Sequence, residues 1–565
     1  MRQPILAGLF LVAGLFLVVA TASLSAAAEL DPGGEIRFNI GSFSPWTFYD
    51  SREDDEEFLL QRTRLNLRAS LNEHLSGLIE VQAFGDFGRN EANLGLWWPD
   101  RRDDHVADED IWLYQGYVAI DRPADIPISL KLGKQELTYG QEFLLGNNDT
   151  GDMFFGHSFD AIKGSGQVSD LTVDLFLARL DDNRFLLDVG EDLSPSHHQI
   201  TDDNATLYGL YGTWTGLADR LGLRELDGYL LSVQIGDYNE GLAGILLGLD
   251  HAFPAPYPGH GNMDGRHGWL GTFGGWFPAG RWDTNPSGWW GRRNVGDGSN
   301  AAYLALAGAD TLAGDVGLHT AGFRLEGALP GEDRALQLDY ELEFARQFGP
   351  TGRPDVADSS RSTGHYAGSA LDFAFGLEFS QVTWQPRLSG GYTFFSGGPG
   401  ANRVDASGAR APEDEVGTFQ RLWSDKQYGE NLDRAPFGVF LTNVHILQAG
   451  LGVDVTKDTS LRCDFFHYTV DDPRDPNGPV FGANPEANAG GNPVDPSVGA
   501  RAAEPDDDLG SEIDLFATYY YQEDLRFTAG YAVFLNGATL ADQTPSDFQA
   551  ADNQHYVFLD VRFAF

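Results

Sequence analysis

Three arginines spaced two and four residues apart, Arg62, Arg64 and Arg68, carry the clearest chemical signal in the chain. On a strand, even spacing puts all three on one face. A guanidinium is a planar fork that takes a carboxylate in two parallel hydrogen bonds. Such a ladder could hand an acidic solute along in steps. Lys131, Arg324, Arg387, Arg462, Arg526 and Arg562 share the inward parity of their own strands. Lys134 has the opposite parity to Lys131, and a bulge near Gly133 would bring both inward. The acids with inward parity are Glu80, Asp174, Asp339, Glu341, Glu343, Asp372, Glu378, Asp464, Glu512, Asp514 and Asp560. The candidate solute path is therefore Arg62, Arg64, Arg68, Lys131, Lys134, Arg324, Arg387 and Arg462 with Asp339, Glu341 and Glu343. The competing reading is that neighbouring charges satisfy one another across strands, as Arg324 with Glu326 or Arg462 with Asp464 would.

A second candidate is aromatic. The stretch from Asp237 to Asp315 holds Trp269, Trp276, Trp282, Trp289 and Trp290. Indole faces stack on sugar rings, so a carbohydrate-contacting or constricting loop is one reading. An apolar plug over or inside a pore is the other. His251, His260 and His267 in the same stretch fit no metal-ligand spacing, and no metal site is expected. No catalytic residues are expected either. His157, Ser158 and Asp160 form the only local cluster, and adjacent residues on a strand point opposite ways. The chain is not expected to be an enzyme.

The charge balance excludes further classes. There are 83 acidic and 38 basic residues among 565, for a net charge of −45. Such a chain repels nucleic acid. The lone Cys463 leaves no disulfide framework and no cysteine motif for zinc, iron–sulfur or haem. It shares a face with Leu461, so it reads as a small buried or lipid-facing apolar residue. The acids cluster at 50–57 and 471–508, as solvated loops or as a divalent-cation site without EF-hand spacing. No other cofactor is expected.

The elements that would position these residues are strands. Residues 1–28 read as a secretory signal peptide: Arg2, an apolar core from Ile5 to Ala20, and Ala26-Ala27-Ala28 as a cleavage site. No later stretch is apolar enough for a membrane-spanning helix. Apolar and polar residues alternate through Leu336–Phe344 and Leu371–Phe379, which is the strand signal. About 18 strand candidates begin near 35, 59, 77, 111, 126, 158, 171, 205, 226, 315, 335, 365, 383, 443, 459, 511, 525 and 555. Their joins alternate between short and long, with short ones such as Gln381–Val382 and Gln522–Asp524, and long ones such as Asp86–Asp110, Ser396–Thr442 and Asp237–Asp315. The segment Tyr556–Phe565 alternates to a terminal Phe. Lipid cannot hydrogen-bond a sheet edge, so a membrane sheet must close on itself. The expected fold is a transmembrane antiparallel β-barrel occupying 29–565 as one domain, with short turns in the periplasm and long loops outside.

One region carries a family likeness. Leu130-Lys-Leu-Gly-Lys-Gln-Glu-Leu-Thr-Tyr-Gly140, then Leu144-Leu-Gly-Asn-Asn148 and Ser158-Phe-Asp-Ala-Ile162, resemble the signature of the alginate export family of outer-membrane proteins. Lys131 and Lys134 stand where that family tends to have Arg, and Ala161 where it tends to have Gly. Tyr208-Gly-Leu-Tyr, Leu338-Asp-Tyr-Glu-Leu-Glu, Trp384-Gln-Pro-Arg-Leu, Leu509-Gly-Ser-Glu-Ile-Asp-Leu and Gly530-Tyr-Ala-Val-Phe add weaker likenesses in order. The resemblance implies an 18-stranded monomeric barrel that passes a solute passively, with an alginate-type acidic polysaccharide as the best-known cargo. The acidic excess argues against a path built for polyanions alone. The alternatives are a general or cation-preferring porin, a closed barrel with a structural or adhesion role, and a sheath for an electron-transfer partner. Expected partners are outer-membrane lipid and lipopolysaccharide, a polar solute or polysaccharide, and a periplasmic protein that feeds an exporter.

Overall fold

The computed structural model describes residues 29–44, 56–86, 111–123, 126–147, 149, 156–180, 204–216, 222–236, 316–330, 335–350, 365–397, 415–433, 441–471, 507–538 and 553–565. The proposed signal peptide, the tryptophan-rich stretch with Trp269, Trp276, Trp282, Trp289 and Trp290, and most of the two acidic loops lie outside them.

The described strands are β1 (Glu29–Ser44), β2 (Glu56–Asn72), β3 (Leu75–Asp86), β4 (Trp112–Asp121), β5 (Ile128–Gln135), β6 (Phe159–Val168), β7 (Leu171–Arg179), β8 (Asn204–Trp214), β9 (Leu223–Gly236), β10 (Val316–Pro330), β11 (Gln337–Phe348), β12 (His365–Tyr366), β13 (Ser369–Glu378), β14 (Arg387–Phe395), β15 (Glu415–Val416), β16 (Val444–Thr456), β17 (Thr459–Val470), β18 (Asp508–Gln522), β19 (Leu525–Asn536) and β20 (Gln554–Ala564). All but β12 and β15 form one 18-stranded antiparallel sheet. Each barrel strand pairs with the next barrel strand along the chain, and β1 pairs with both β2 and β20, which closes the barrel. The two-residue strands β12 and β15 pair in parallel beside it. No helix among the described residues is long and apolar enough to cross a membrane.

Alternation decides which face meets lipid. On β17, Leu461 and Phe465 are 43% and 41% exposed on the outer face, with Cys463 exposed between them. On the next strand, Glu512 and Asp514 are buried on the inner face. The same division holds on β13, where Phe373 and Phe375 face out and Asp372 is buried inside. Burying carboxylates while exposing Leu and Phe would be unfavourable in water. It is the correct arrangement for a lipid-immersed ring with a polar lumen.

Polar side chains close the tight turns. The Asn72 side chain accepts the His74 N–H at 2.8 Å, and Thr456 Oγ1 accepts the Asp458 N–H at 3.2 Å. Asn and Thr make such local bonds readily, which is why they mark turns. The short connections after β2, β4, β6, β8, β10, β13, β16 and β18 all fall at one end. Those after β1, β3, β5, β7, β9, β11, β14, β17 and β19 fall at the other.

Candidate functional site

The lumen is crossed by two of the barrel's own connections. One is 136–147 with Asp149, between β5 and β6, and the other is 417–433, between β14 and β16. They pair through the backbone: Gly146 N–H donates to Trp423 O at 2.8 Å, Trp423 N–H to Leu144 O at 3.0 Å, and Asp425 N–H to Glu142 O at 2.9 Å. Phe143, Leu144 and Leu145 pack in one buried cluster with Phe395, Phe419, Leu422 and Trp423. This apolar core lies inside the barrel.

Each connection is tied to its own wall. Tyr139 donates to Asp174 on β7 at 3.0 Å, and Tyr114 on β4 donates to Glu136 at 2.5 Å. Asp149 takes the Arg62 guanidinium and lies 3.5 Å from Arg64. On the far side, Lys426 and Tyr428 donate to Asp372 on β13 at 2.6 and 2.9 Å. Glu512 on β18 accepts three successive backbone N–H groups, from Glu430 at 2.6 Å, from Asn431, and from Leu432 at 3.1 Å. Such a nest holds a carboxylate with fixed partial charges. It requires Gly429, at φ +97°, where a Cβ would sit 2.4 Å from the Tyr468 hydroxyl. Arg421 braces the second connection through Asp433 at 2.6 Å and the Lys426 carbonyl at 2.6 Å. Burial nevertheless outweighs Arg421 and pushes the Asp433 carboxyl up to about 7.

The arginine ladder divides. Arg62 is fully buried and pairs with Glu35 and Asp149. Arg64 is buried, lies 3.8 Å over the Tyr114 ring and donates to Gln82 at 2.5 Å. Arg68 is exposed on the inner face. Lys131 lies 3.9 Å over the Tyr117 ring. Directly opposite in register stands Lys163, which reaches Asp174 at 2.6 Å and lies 4.9 Å over Tyr139.

Lys134 corrects the expectation of an inward pair. It faces out and bonds Asp160 at 3.0 Å. Gly133 does adopt φ +123°, and a Cβ there would meet the Gly116 carbonyl at 2.3 Å. Yet the register on both sides runs unbroken through Gly133, so no residue is inserted and parity holds.

The other wall is acidic and largely self-paired. Arg324, 1% exposed, binds Glu225 at 2.6 Å, Asp227 at 2.9 Å, Glu341 at 3.0 Å, and Glu326. Arg387 takes Asp339 in a bidentate pair, 2.6 Å on each arm. Arg462 reaches Asp464 at 2.6 Å and lies 4.2 Å over Phe516. Glu343 accepts from Tyr229 at 2.8 Å. A cavity of about 330 Å³ opens here, lined by Gln141, Glu326, Asp339, Glu341, Arg387 and Asp464 among others. Carboxylates dominate its charged lining.

Sequence reasoning missed Glu35, Arg37, Asp149, Lys163, Arg421, Lys426 and Asp433. Parity alone could have found Lys163, which follows Phe159 and Ala161 on one face. The residues of the two lumen-crossing connections have no period to read. The local cluster of His157, Ser158 and Asp160 is dispersed: His157 is buried against Phe159 and Trp423, while Asp160 faces out. Burial, helped by Lys134, pulls the His157 imidazole down to about 3. Among the described residues, no group of His, Cys, Asp or Glu is placed to hold a metal ion.

Solved structures that align with the chain come from Pseudomonas aeruginosa. OccK8 (OprE) aligns with TM-score 0.47 at 11% identity, over 95% of this chain and 98% of that one. OccK9 (OpdG) aligns with TM-score 0.47 at 12% identity, over 95% and 99%. OccK2 (OpdF), solved in complex with glucuronate, aligns with TM-score 0.45 at 10% identity, over 95% and 98%. No curated protein matches the chain. The alginate export profile matches residues 28–553. With its closed barrel and charged lumen, the chain belongs to the alginate export family and is a non-enzymatic solute channel of the bacterial outer membrane.

Proposed function

We propose that the channel passes small acidic saccharides of the uronate class along the wall formed by β2 to β6. The observation that carries this reading is the pairing of Lys131 with Lys163 in direct register. Like charges opposite one another destabilise a sheet. Here both cations sit over tyrosine rings, Lys163 is partly compensated by Asp174 at 2.6 Å, and Lys131 and Arg68 on the same inner wall make no ion pair among the described residues. Cations for the carboxylate beside aromatic faces for the ring are the two contacts a uronate needs. The 330 Å³ cavity on the opposite wall favours a second reading, a cation-preferring porin, because carboxylates dominate its charged lining.

Single-channel recording of the refolded barrel in a salt gradient separates the two. Uronate oligomers should block the current more strongly than neutral oligosaccharides of equal length. Lys131→Gln with Lys163→Gln should remove that difference. Cation selectivity with no preferential uronate block would overturn the first reading and support the second.

A further inference from the structure

Four histidines on the outer face of the barrel repeat one arrangement. Ser232 Oγ meets His319 Nδ1 at 2.8 Å, and Tyr392 Oη meets His445 Nδ1 at 2.7 Å. Ser511 Oγ meets His467 Nδ1 at 3.0 Å, and Tyr531 Oη meets His555 Nδ1 at 2.8 Å. In every case the hydroxyl comes from the neighbouring barrel strand. Each histidine lies near the strand end that carries the long connections. Each points away from the lumen, since its chain neighbours Leu318, Val444, Phe466 and Tyr556 are buried inside.

This rim borders the apolar band. Leu447 pairs in register with His467, and Leu447, Phe465 and Val557 are exposed on the same face just toward the membrane centre. Lipid headgroups meet a barrel at that level. A hydroxyl hydrogen-bonded to Nδ1 fixes the ring's direction and leaves Nε2 as the outward ring nitrogen. His445 Nε2 meets Asp471 at 3.1 Å. The Nε2 atoms of His319, His467 and His555 have no hydrogen-bond partner among the described residues. Arg346 faces out beside His319, one strand over, held by Ser369 Oγ at 2.6 Å. The opposite rim carries exposed Trp214, Trp384, Tyr519 and Tyr521, with no strand histidine among the described residues. Aromatic anchoring alone would not distinguish the two rims.

We propose that this histidine rim binds the phosphate groups of the phosphorylated glycolipid in the outer leaflet. Oriented Nε2 atoms and one guanidinium face the plane where those phosphates lie, and an imidazole N–H there can donate to a phosphate oxygen. Asp471 occupies the Nε2 of His445, leaving His319, His467 and His555 as the binding members. The site is independent of which solute the lumen passes.

The test uses the full barrel refolded in phosphatidylethanolamine–phosphatidylglycerol vesicles. Lipid A bearing both phosphates is added to one set, and chemically dephosphorylated lipid A to another. The readouts are the midpoint of heat-induced unfolding by gel mobility and the number of lipids retained in native mass spectra. The phosphorylated lipid should raise the midpoint and remain bound, and the dephosphorylated lipid should do neither. The combined variant His319→Gln, His467→Gln, His555→Gln should lose both effects. His467→Gln alone should lose part of them, and unchanged single-channel conductance certifies its folding. Equal stabilisation by both lipids, or full retention of phosphorylated lipid by the combined variant, would overturn the proposal.

Discussion

Trp423 is bonded to the opposite connection in both directions: it donates to Leu144 at 3.0 Å and accepts from Gly146 at 2.8 Å. Its ring meets Phe159 edge-on at 5.3 Å and stacks near His157 at 6.4 Å. One residue thus joins the two segments that cross the lumen and packs them against β6.

Trp423→Ala should therefore loosen the crossing without opening the barrel. Removing a buried aromatic costs about 3–5 kcal/mol. Here that loss falls on the two connections, because the 18 strands keep their ladder bonds. The expected result is larger and noisier single-channel conductance with an unchanged unfolding midpoint by gel mobility. A fall in the midpoint with unchanged conductance would show that the crossing segments support the barrel and do not obstruct it.

Arg62 and Arg68 lie on the same face of β2, and the prediction separates them. Arg62→Gln leaves the buried Glu35 and Asp149 short of their shared cation. Removing one member of a buried ion pair costs about 3–5 kcal/mol, so the unfolding midpoint should drop. Arg562 on Glu35 and Arg64 on Asp149 limit the loss. Arg68 is exposed and makes no ion pair among the described residues, so Arg68→Gln should change stability by no more than about 0.5 kcal/mol. Its effect should appear as weaker uronate block. Matched midpoints for the two variants would remove the distinction between structural and path-lining arginines.

The contrast shows what parity can reveal. Alternation placed Arg62, Arg64 and Arg68 on the inner face, and the barrel keeps them there. It could not tell a buried ion pair from an open one. The partners of Arg62 lie 27 and 87 residues away, and Asp149 sits on a connection with no period. Lys134 teaches the converse. Plain parity puts it outside, and the bulge invoked to turn it inward is absent because Gly133 bends the strand without adding a residue. The strand starts and the sorting of short and long joins were legible because a closed meander repeats one local rule. The crossing of the lumen was not, because it depends on which two connections fold inward and meet.

The pH response should originate where those connections meet. Burial, followed by the hydrogen bond and charge of Asp425, pushes the Glu142 carboxyl up to about 8. Glu136 raises it further, and the Asn147 backbone opposes the shift. The ordinary value is 4.5, so the fold prefers the protonated form. A raised carboxyl contributes stability that is fully present below the ordinary value and is lost as pH rises through the folded one. Above about pH 8, Glu142 and Asp425 are both anionic and repel across the two segments. Conductance of the native channel should rise through that pH, as the crossing loosens. Glu142→Gln keeps a hydrogen bond and removes the charge, so its conductance should stay flat over the same range. A variant that titrates like the native channel would place the response elsewhere in the lumen.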